Sequence, residues 1–465
     1  MEAFGILLSL FLLMFFAYRG FSVILFSPIF ALMAATMSGL ALMPAYTELF
    51  MGKAVVYVKT FFPIFMLGAV FGKVMEDTGL AKSISVAIIK GLGQDRAILA
   101  VVLAGAALTY GGVSLFVVVF AVYPFAAALF KEANIPKRLI PGTIALGAFT
   151  FTMDSFPGTP QIQNIIPTNF FGTNIYAAPI SGILGGLLIL FGGLWWLDRR
   201  RKAAAAAGEG YGNHTLNEPE VRDDSGMPAW YIAALPLLTV LIVNFAMTRL
   251  FHWDPSLLAP FQQMNLPLVA ASVKNVISIW SLIIALVCGI LLAVSLGVSR
   301  LPKGGLAKAL NAGAIGSLLA IMNTASEVGY GNVVASLPGF KSISGALMSI
   351  KIGGTPLASE AVTVTTLAGI TGSASGGMSI ALDLMAKDWL AWANQIGMSP
   401  EMLHRVASMA SGGMDTLPHN GAVITLLAVC GLTHKESYPD IFVITCLKTA
   451  AVFAVIVLHT LTGIL

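Results

Sequence analysis

Charge is what this chain has least of. Only 10% of its 465 residues are Asp, Glu, Lys or Arg, whereas 57% are hydrophobic, and the mean hydropathy is +0.86. No single soluble core could bury that much apolar surface, so the composition predicts an all-α polytopic membrane protein. Cysteine is scarcer still: Cys288, Cys430 and Cys446 stand apart in apolar stretches, which excludes a disulfide framework and a thiolate metal site. The chain has no His-Glu-x-x-His, and "KGGLAKAL" from Lys303 lacks phosphate-loop spacing, so no enzyme, no metal and no cofactor other than a coupling ion are expected. The 26 basic residues lie in short loops rather than in one patch, which argues against nucleic acid as a partner and for topology signals. The first apolar segment, Ala3 to Ala17, lacks a basic lead and a small-residue cleavage site; it is expected to stay as a helix.

What is there is apolar length. A hydrocarbon core of about 30 Å needs roughly 20 helical residues. On that ruler about ten spans fall at 3–17, 21–44, 54–75, 138–170, 176–197, 229–250, 277–298, 310–335, 404–432 and 440–464. Two further stretches, 96–131 and 355–394, are too long for one span, short for two, and broken by "TYGGVS" and "TGSASGG", as re-entrant hairpins would be. The polar segment Asp198 to Gly226 opens "DRRRK" and reads as a solvated cytoplasmic connector. Counting from it places the basic loops inside, both termini outside, the first hairpin open to the cytoplasm and the second to the exterior, in a bacterial-type inner (plasma) membrane.

"FGKVMEDTGLAKSIS" from Phe71 returns as "YGNVVASLPGFKSIS" from Tyr330, "MDSFPGTP" from Met153 as "MDTLPHNG" from Met414, and the hairpin tips keep nearly the same spacing. The expected organisation is therefore N-terminal scaffold helices at 1–53, an inverted repeat at 54–197, a linker with two connecting helices at 198–309, and a second repeat at 310–465. Proline inside a span removes a hydrogen bond and clashes with the preceding turn, so each phrase splits its helix. Open backbone at membrane depth is tolerable where it lines a cavity or is buried in protein, and half-helix N-termini there favour an anion. The expected substrate site takes Tyr110, Gly111, Gly112 and Ser114 from the first tip and Ser155, Gly158, Thr159 and Gln161 from the first phrase. It takes Gly372, Ser373 and Ser375 from the second tip and Thr416, His419 and Asn420 from the second phrase. Small hydroxyl and amide groups without an obvious Arg or Lys suit a hydroxy monocarboxylate better than a phosphate ester or tricarboxylate.

An ionised Asp at the bilayer centre costs on the order of 3 kcal/mol. Asp154 and Asp415 are therefore read as carriers of the coupling ion, or else as caps of the half-helices that follow. His419 and Glu327 are further coupling candidates, Glu327 having no acidic counterpart in the first half. Asp383 and Lys387 read as a helical ion pair, Glu360 and Glu76 as solvated span ends, and Trp195, Trp196, Trp230, Trp389 and Trp392 as interface anchors.

"GAVFGKVMEDTG", "GGVSLFVVVFAVYPF", the proline break after Phe151 and "TGSASGGMS" together resemble the gluconate permease (GntP) family, within the wider ion-transporter superfamily of citrate and dicarboxylate carriers. The resemblance covers nearly the whole chain. It implies proton-coupled uptake of a gluconate-like or 3-hydroxybutyrate-like acid and a homodimer whose transport domain moves like an elevator. It points to 110–114, 154–159, 372–375 and 415–420. The sugar-acid members carry a "PPHPGP"-like break where this chain reads "DSFPGTP", which makes a shorter acid at least as fitting as gluconate and leaves Na⁺ coupling open. An ion-only Na⁺/H⁺ antiporter is the alternative; a channel has little use for two broken repeats around one closed site. Asn at either aspartate should remove gradient-driven accumulation and spare counterflow exchange if that residue carries the ion; aggregation on size exclusion would instead mark a capping role.

Overall fold

The computed structural model describes residues 2–19, 21–93, 96–113, 115–218, 227–301, 305–350, 352–418 and 420–465. Two shorter helices, α1 (Glu2–Tyr18) and α2 (Val23–Met37), precede a series of seven. The series comprises α3 (Leu42–Asp77), α4 (Leu80–Leu92), α5 (Ala97–Tyr110), α6 (Leu115–Glu132), α7 (Ile140–Ala148), then α8 (Ile162–Phe171) beyond a broken stretch, and α9 (Pro179–Ala206). After α10 (Trp230–Leu250) and α11 (Ile277–Gly297) the same order recurs: α12 (Gly305–Ser336), α13 (Phe340–Met348), α14 (Leu357–Thr371), α15 (Ala374–Gln395), α16 (Pro400–Ser411), α17 (Gly421–Cys430) and α18 (His434–Thr462).

Six of these helices are long and apolar enough to cross a membrane: α3, α9, α10, α12, α18 and the one beginning at Ile277. The stretches 138–170 and 404–432 are each divided into two short helices, because Pro157 and Pro160 in one and Pro418 in the other stop the hydrogen-bond ladder. The span expected at 21–44 ends at Met37; Gly39, at φ +82°, turns the chain, and Leu42 opens the next helix with Pro44 in its first turn, where a missing N–H costs nothing.

The leading helices of the two series cross antiparallel. Gly313 of α12 lies against the backbone of Val70, while Gly329, further along α12, lies against Phe50 near the start of α3. The closing helices do the same: Ser181 bonds the carbonyl of Ile464, and Trp196 donates to Asp440 at 3.0 Å. Two buried apolar clusters result. The larger unites both series; the smaller joins α1, α2, the start of α3 and α12, and takes in Ile380 of α15. The pair α14–α15 therefore stands between the two.

Several surface readings change with packing. Asp383 pairs with Lys53 of α3 at 2.7 Å rather than with Lys387, because long-range packing brings that ammonium to the carboxylate. Trp389 is fully buried and donates to Ser359 at 3.1 Å, and Glu360 is buried as well; α14 and α15 fold those positions inward. Trp195 and Trp230 are exposed. The segment after Leu197 is not simply solvated. Helix α9 continues to Ala206, and residues 209–218 form a strap docked on the protein.

In the strap, Glu209 accepts two bonds from Arg138, at 2.6 and 2.7 Å, and Tyr211 N donates to Asn134. Asn217 reaches the carbonyl of Ala428 at the end of α17, and its own carbonyl accepts from Tyr123 of α6. The buried Lys137 ammonium pairs with Glu218 at 2.7 Å. The strap thus ties the α6–α7 turn to α17. Arg138 holds the Glu209 carboxyl below the usual carboxylate range, so this contribution is present above the unfolded pKa and disappears as pH falls through the folded one.

Deleting Ala203 to Gly210 is therefore expected to lower the thermal stability of the purified protein and reduce uptake, where a solvated connector would have made it neutral. Glu209→Gln alone should cost under about 1 kcal/mol at neutral pH, because the pair is partly exposed. That difference should vanish in acid; a stability gap that survives acidification would remove Arg138–Glu209 as its source.

Candidate functional site

Each hairpin tip is fastened to the broken helix of its own series. Gln161, just before α8, donates to the carbonyls of Thr109 and Val113 at the first tip, at 2.7 and 3.3 Å. Asn420, just before α17, donates to Gly372 of the second tip at 2.6 Å. The two amides lie 259 residues apart, and both satisfy carbonyls that a helix end leaves open. Gly372, at φ +66°, adopts the left-handed turn that ends α14. Tyr110 donates to the Pro157 carbonyl at 2.8 Å and sits against Gly158, and a Cβ on Gly111 would meet Leu237 of α10.

The two breaks meet each other through α16. His404, Arg405, Ser408 and Gly412 follow one another on a helical face, and that face lies on the first break. Ser408 donates to the Asp154 carbonyl at 2.7 Å. The Arg405 guanidinium, wholly buried, donates to the carbonyl of Ala177 at 2.7 Å and to Asn164 Oδ1 at 3.1 Å, and reaches towards those of Asp154 and Ile175. His404 is locked between Thr173 and Asn164. A buried guanidinium surrounded by carbonyl oxygens does what water would do at an open helix end.

The second break is served by α18. Lys448 pairs with Asp415 at 2.7 Å and also donates to the Phe149 carbonyl at the end of α7, at 3.2 Å, so one ammonium joins both breaks. Thr445 bonds Thr416 at 2.6 Å, and Thr449 donates to Gly413. Capping at this break falls to Asn420, whose Oδ1 accepts from Ala422 N and Val423 N; Asp415 is instead an ion-pair partner. Asp154 differs. Its Oδ1 accepts from Ser155 at 2.6 Å, but Oδ2 is buried without a hydrogen-bond partner and points at Gly412, where a Cβ would overlap it.

The structure therefore brings Tyr110, Gly111, Gly112, Ser155, Gly158, Thr159, Gln161, Gly372, Thr416 and Asn420 into one continuous assembly with Asp154 and Asp415. Of these side chains, Tyr110, Ser155, Gln161, Thr416 and Asn420 are already committed to bonds within the protein, whereas the hydroxyl of Thr159, and that of Thr109 at the first tip, are buried and unpartnered. Ser373 caps α15 and, with Ser375, turns towards α12, where Glu327 lies. Ser114 and His419 fall outside the described residues. The expectation of a site without Arg or Lys is corrected: Arg405 and Lys448 are both at the crossing. Reading the bases as loop topology signals passes over both, although an intramembrane Lys in "ITCLKTAAVF" carries the same cost as an intramembrane Asp.

Comparison with known proteins gives a consistent placement. The profile of the GntP family permeases matches residues 1–373. The uncharacterized transporter YxjC of Bacillus subtilis (strain 168) is 53% identical over the full length of both chains. Two solved structures share the fold. MtrF of Neisseria gonorrhoeae, described as illuminating a class of antimetabolite efflux pumps, aligns with 90% of this chain and 85% of its own at a TM-score of 0.55 and 13% identity. The YdaH transporter of Alcanivorax borkumensis, noted for its unusual topology, aligns with 88% of this chain and 86% of its own at a TM-score of 0.50 and 17% identity.

Lys448→Met should destabilise the protein by about 3–5 kcal/mol, because it leaves the Asp415 carboxylate buried without a counter-charge. Adding Asp415→Asn should restore most of that loss. Thermal unfolding of the single and double variants in detergent reads the difference, and two equally damaged proteins would mean that the pair is not what Lys448 is there for.

Proposed function

The chain belongs to the GntP family of permeases, a family of transporters and not of enzymes, and from that premise we propose that it imports a small hydroxy monocarboxylate by proton symport. The observation that carries the coupling is the contrast between the two aspartates. Asp415 already has its cation in Lys448, so its charge is spent inside the protein. Asp154 Oδ2 has no partner, is excluded from water, and faces the other break across a glycine. A carboxylate oxygen left without a partner in that position is available to a coupling ion.

The substrate class follows from which groups remain uncommitted. Arg405 and Lys448 are occupied by carbonyls and by Asp415, so no free fork of cations is left to hold a second or third carboxylate. The hydroxyls of Thr109 and Thr159 are buried and unpartnered, and α8 begins at Ile162, just beyond Thr159, with its N-terminal dipole available to one carboxylate. A 3-hydroxybutyrate-like acid suits two hydroxyls and one anion site, and a gluconate-like acid is its longer relative. Two oppositely inserted repeats, antiparallel at α3–α12 and again at α9–α18, support alternating access by an elevator movement. We further propose a homodimer in the plasma membrane, with the strap on the cytoplasmic side and both termini outside.

Labelled 3-hydroxybutyrate and gluconate offered to proteoliposomes under an inward proton gradient, a sodium gradient or neither provide the test. Accumulation of either acid with the proton gradient is expected, and Asp154→Asn should abolish it while leaving counterflow exchange. Accumulation under the sodium gradient alone would reassign the ion. Na⁺/H⁺ exchange without acid uptake would replace symport with ion antiport.

A further inference from the structure

Glu327 stands apart from the crossing just described, on α12, and it is 2% exposed. Its Oε2 has no hydrogen-bond partner. The carboxylate lies against the Cα of Gly376, in the first turn of α15, so closely that a Cβ there would overlap it. Around it are hydroxyls from three elements: Thr324 of α12 lies 3.4 Å from Ser375, Ser373 caps α15 through Gly376 N, and the Tyr57 hydroxyl of α3 sits beside Thr324, Ser379 and Glu327. The Tyr57 and Ser379 hydroxyls are buried and unpartnered too. A cavity of about 500 Å³ reaches this cluster; Tyr57, Val328 and Ser379 form part of its wall, and the Lys53–Asp383 pair stands on it further out.

Among the described residues, the charged and titratable groups that face Glu327 are few. From α3 there are Tyr57 and, further along, Lys53. From α15 there is Asp383, which Lys53 neutralises. Within α12, Tyr330 is bonded to Ser9 of α1 at 2.8 Å, and α2 contributes Ser27, bonded to the Ser326 carbonyl. No cation is paired with Glu327 among the described residues.

We infer that Glu327 is a proton-operated latch on the second hairpin: ionised, it holds the N-terminus of α15 against α12; protonated by water from the adjoining cavity, it releases it. A carboxylate beside a helix N-terminus is attracted by the positive end of the dipole, and that attraction is lost when the carboxyl becomes neutral. The same positive helix end disfavours Na⁺, so the site selects a proton rather than a metal cation. The proton enters from cavity water and returns to it on the side that Tyr57 and Ser379 line. It therefore sets how freely the hairpin moves, and does not travel with the cargo. The hairpin is positioned for such control because α15 presents Ile380 to the small cluster formed with α1, α2 and α12, and Trp389 to the large one. This latch rests on the transport reading above, but its test does not depend on coupling at Asp154.

Hydrogen–deuterium exchange of the purified full-length protein in nanodiscs measures the latch directly, with exchange corrected for its intrinsic pH dependence. In the wild type, protection of residues 371–379 should fall about 3- to 10-fold as pH is lowered, the size of a carboxylate's interaction with a helix N-terminus. The first tip, 109–113, has no such carboxylate at its helix N-terminus among the described residues and should show no comparable change. Glu327→Gln, which keeps the shape of the side chain, should leave 371–379 weakly protected at every pH. In proteoliposomes it should flatten the pH dependence of the initial uptake rate while the final accumulation ratio stays as in the wild type. Equal pH responses at the two tips in the wild type would overturn the latch even if the variant failed to fold. Loss of accumulation in Glu327→Gln with exchange retained would also overturn it, by making Glu327 the coupling carrier. Absence of accumulation in the wild type would instead count against the symport reading and leave the exchange result to stand on its own.

Discussion

Backbone freed inside a membrane must be satisfied without bulk water. The two broken helices release such groups at the centre of the protein, and the arrangement of the core follows from how they are answered. Arg405 gives its donors to carbonyls around the first break, and Lys448 divides its own between Asp415 and the Phe149 carbonyl. Each cation comes from another part of the chain than the first break it serves. The second series supplies both buried cations, so the satisfaction of the first break depends on the two series folding against each other.

That arrangement also separates the acids by role. Asp415 is compensated and serves as part of the frame. Asp154 keeps one oxygen free against Gly412, and Glu327 keeps one free against Gly376. In both places a glycine makes room for a carboxylate at a helix end of the other element, so a change of protonation acts on a contact between elements rather than within one. The first of these lies between the breaks. The second lies between α12 and a hairpin that reaches both apolar clusters.

The strap at 209–218 extends the same logic to the surface. It links the α6–α7 turn to the end of α17 through Glu209, Tyr211 and Asn217. A movement that separated those elements would have to break either the Asn217–Ala428 bond on the α17 side or the Arg138–Glu209 and Lys137–Glu218 pairs on the other. The strap therefore favours movement of the two as one body.

Much of this was legible in the sequence, for definite reasons. Apolar length predicted a helical membrane protein, the repeated "MD…P" phrases located the breaks, and glycine clusters located the tips, because proline and glycine act on the backbone wherever they occur. Gln161 and Asn420 could be picked out as polar residues beside those breaks, though not as the fasteners of the tips. What only the tertiary structure decided was pairing. That Asp383 meets Lys53, that Asp415 has Lys448, that Glu360 and Trp389 are inside, and that Arg405 satisfies carbonyls of a break more than two hundred residues away depend on distances between segments far apart in the chain. Local sequence sets what a backbone can do at one position; the partner of a buried charge is set by whichever element packs beside it.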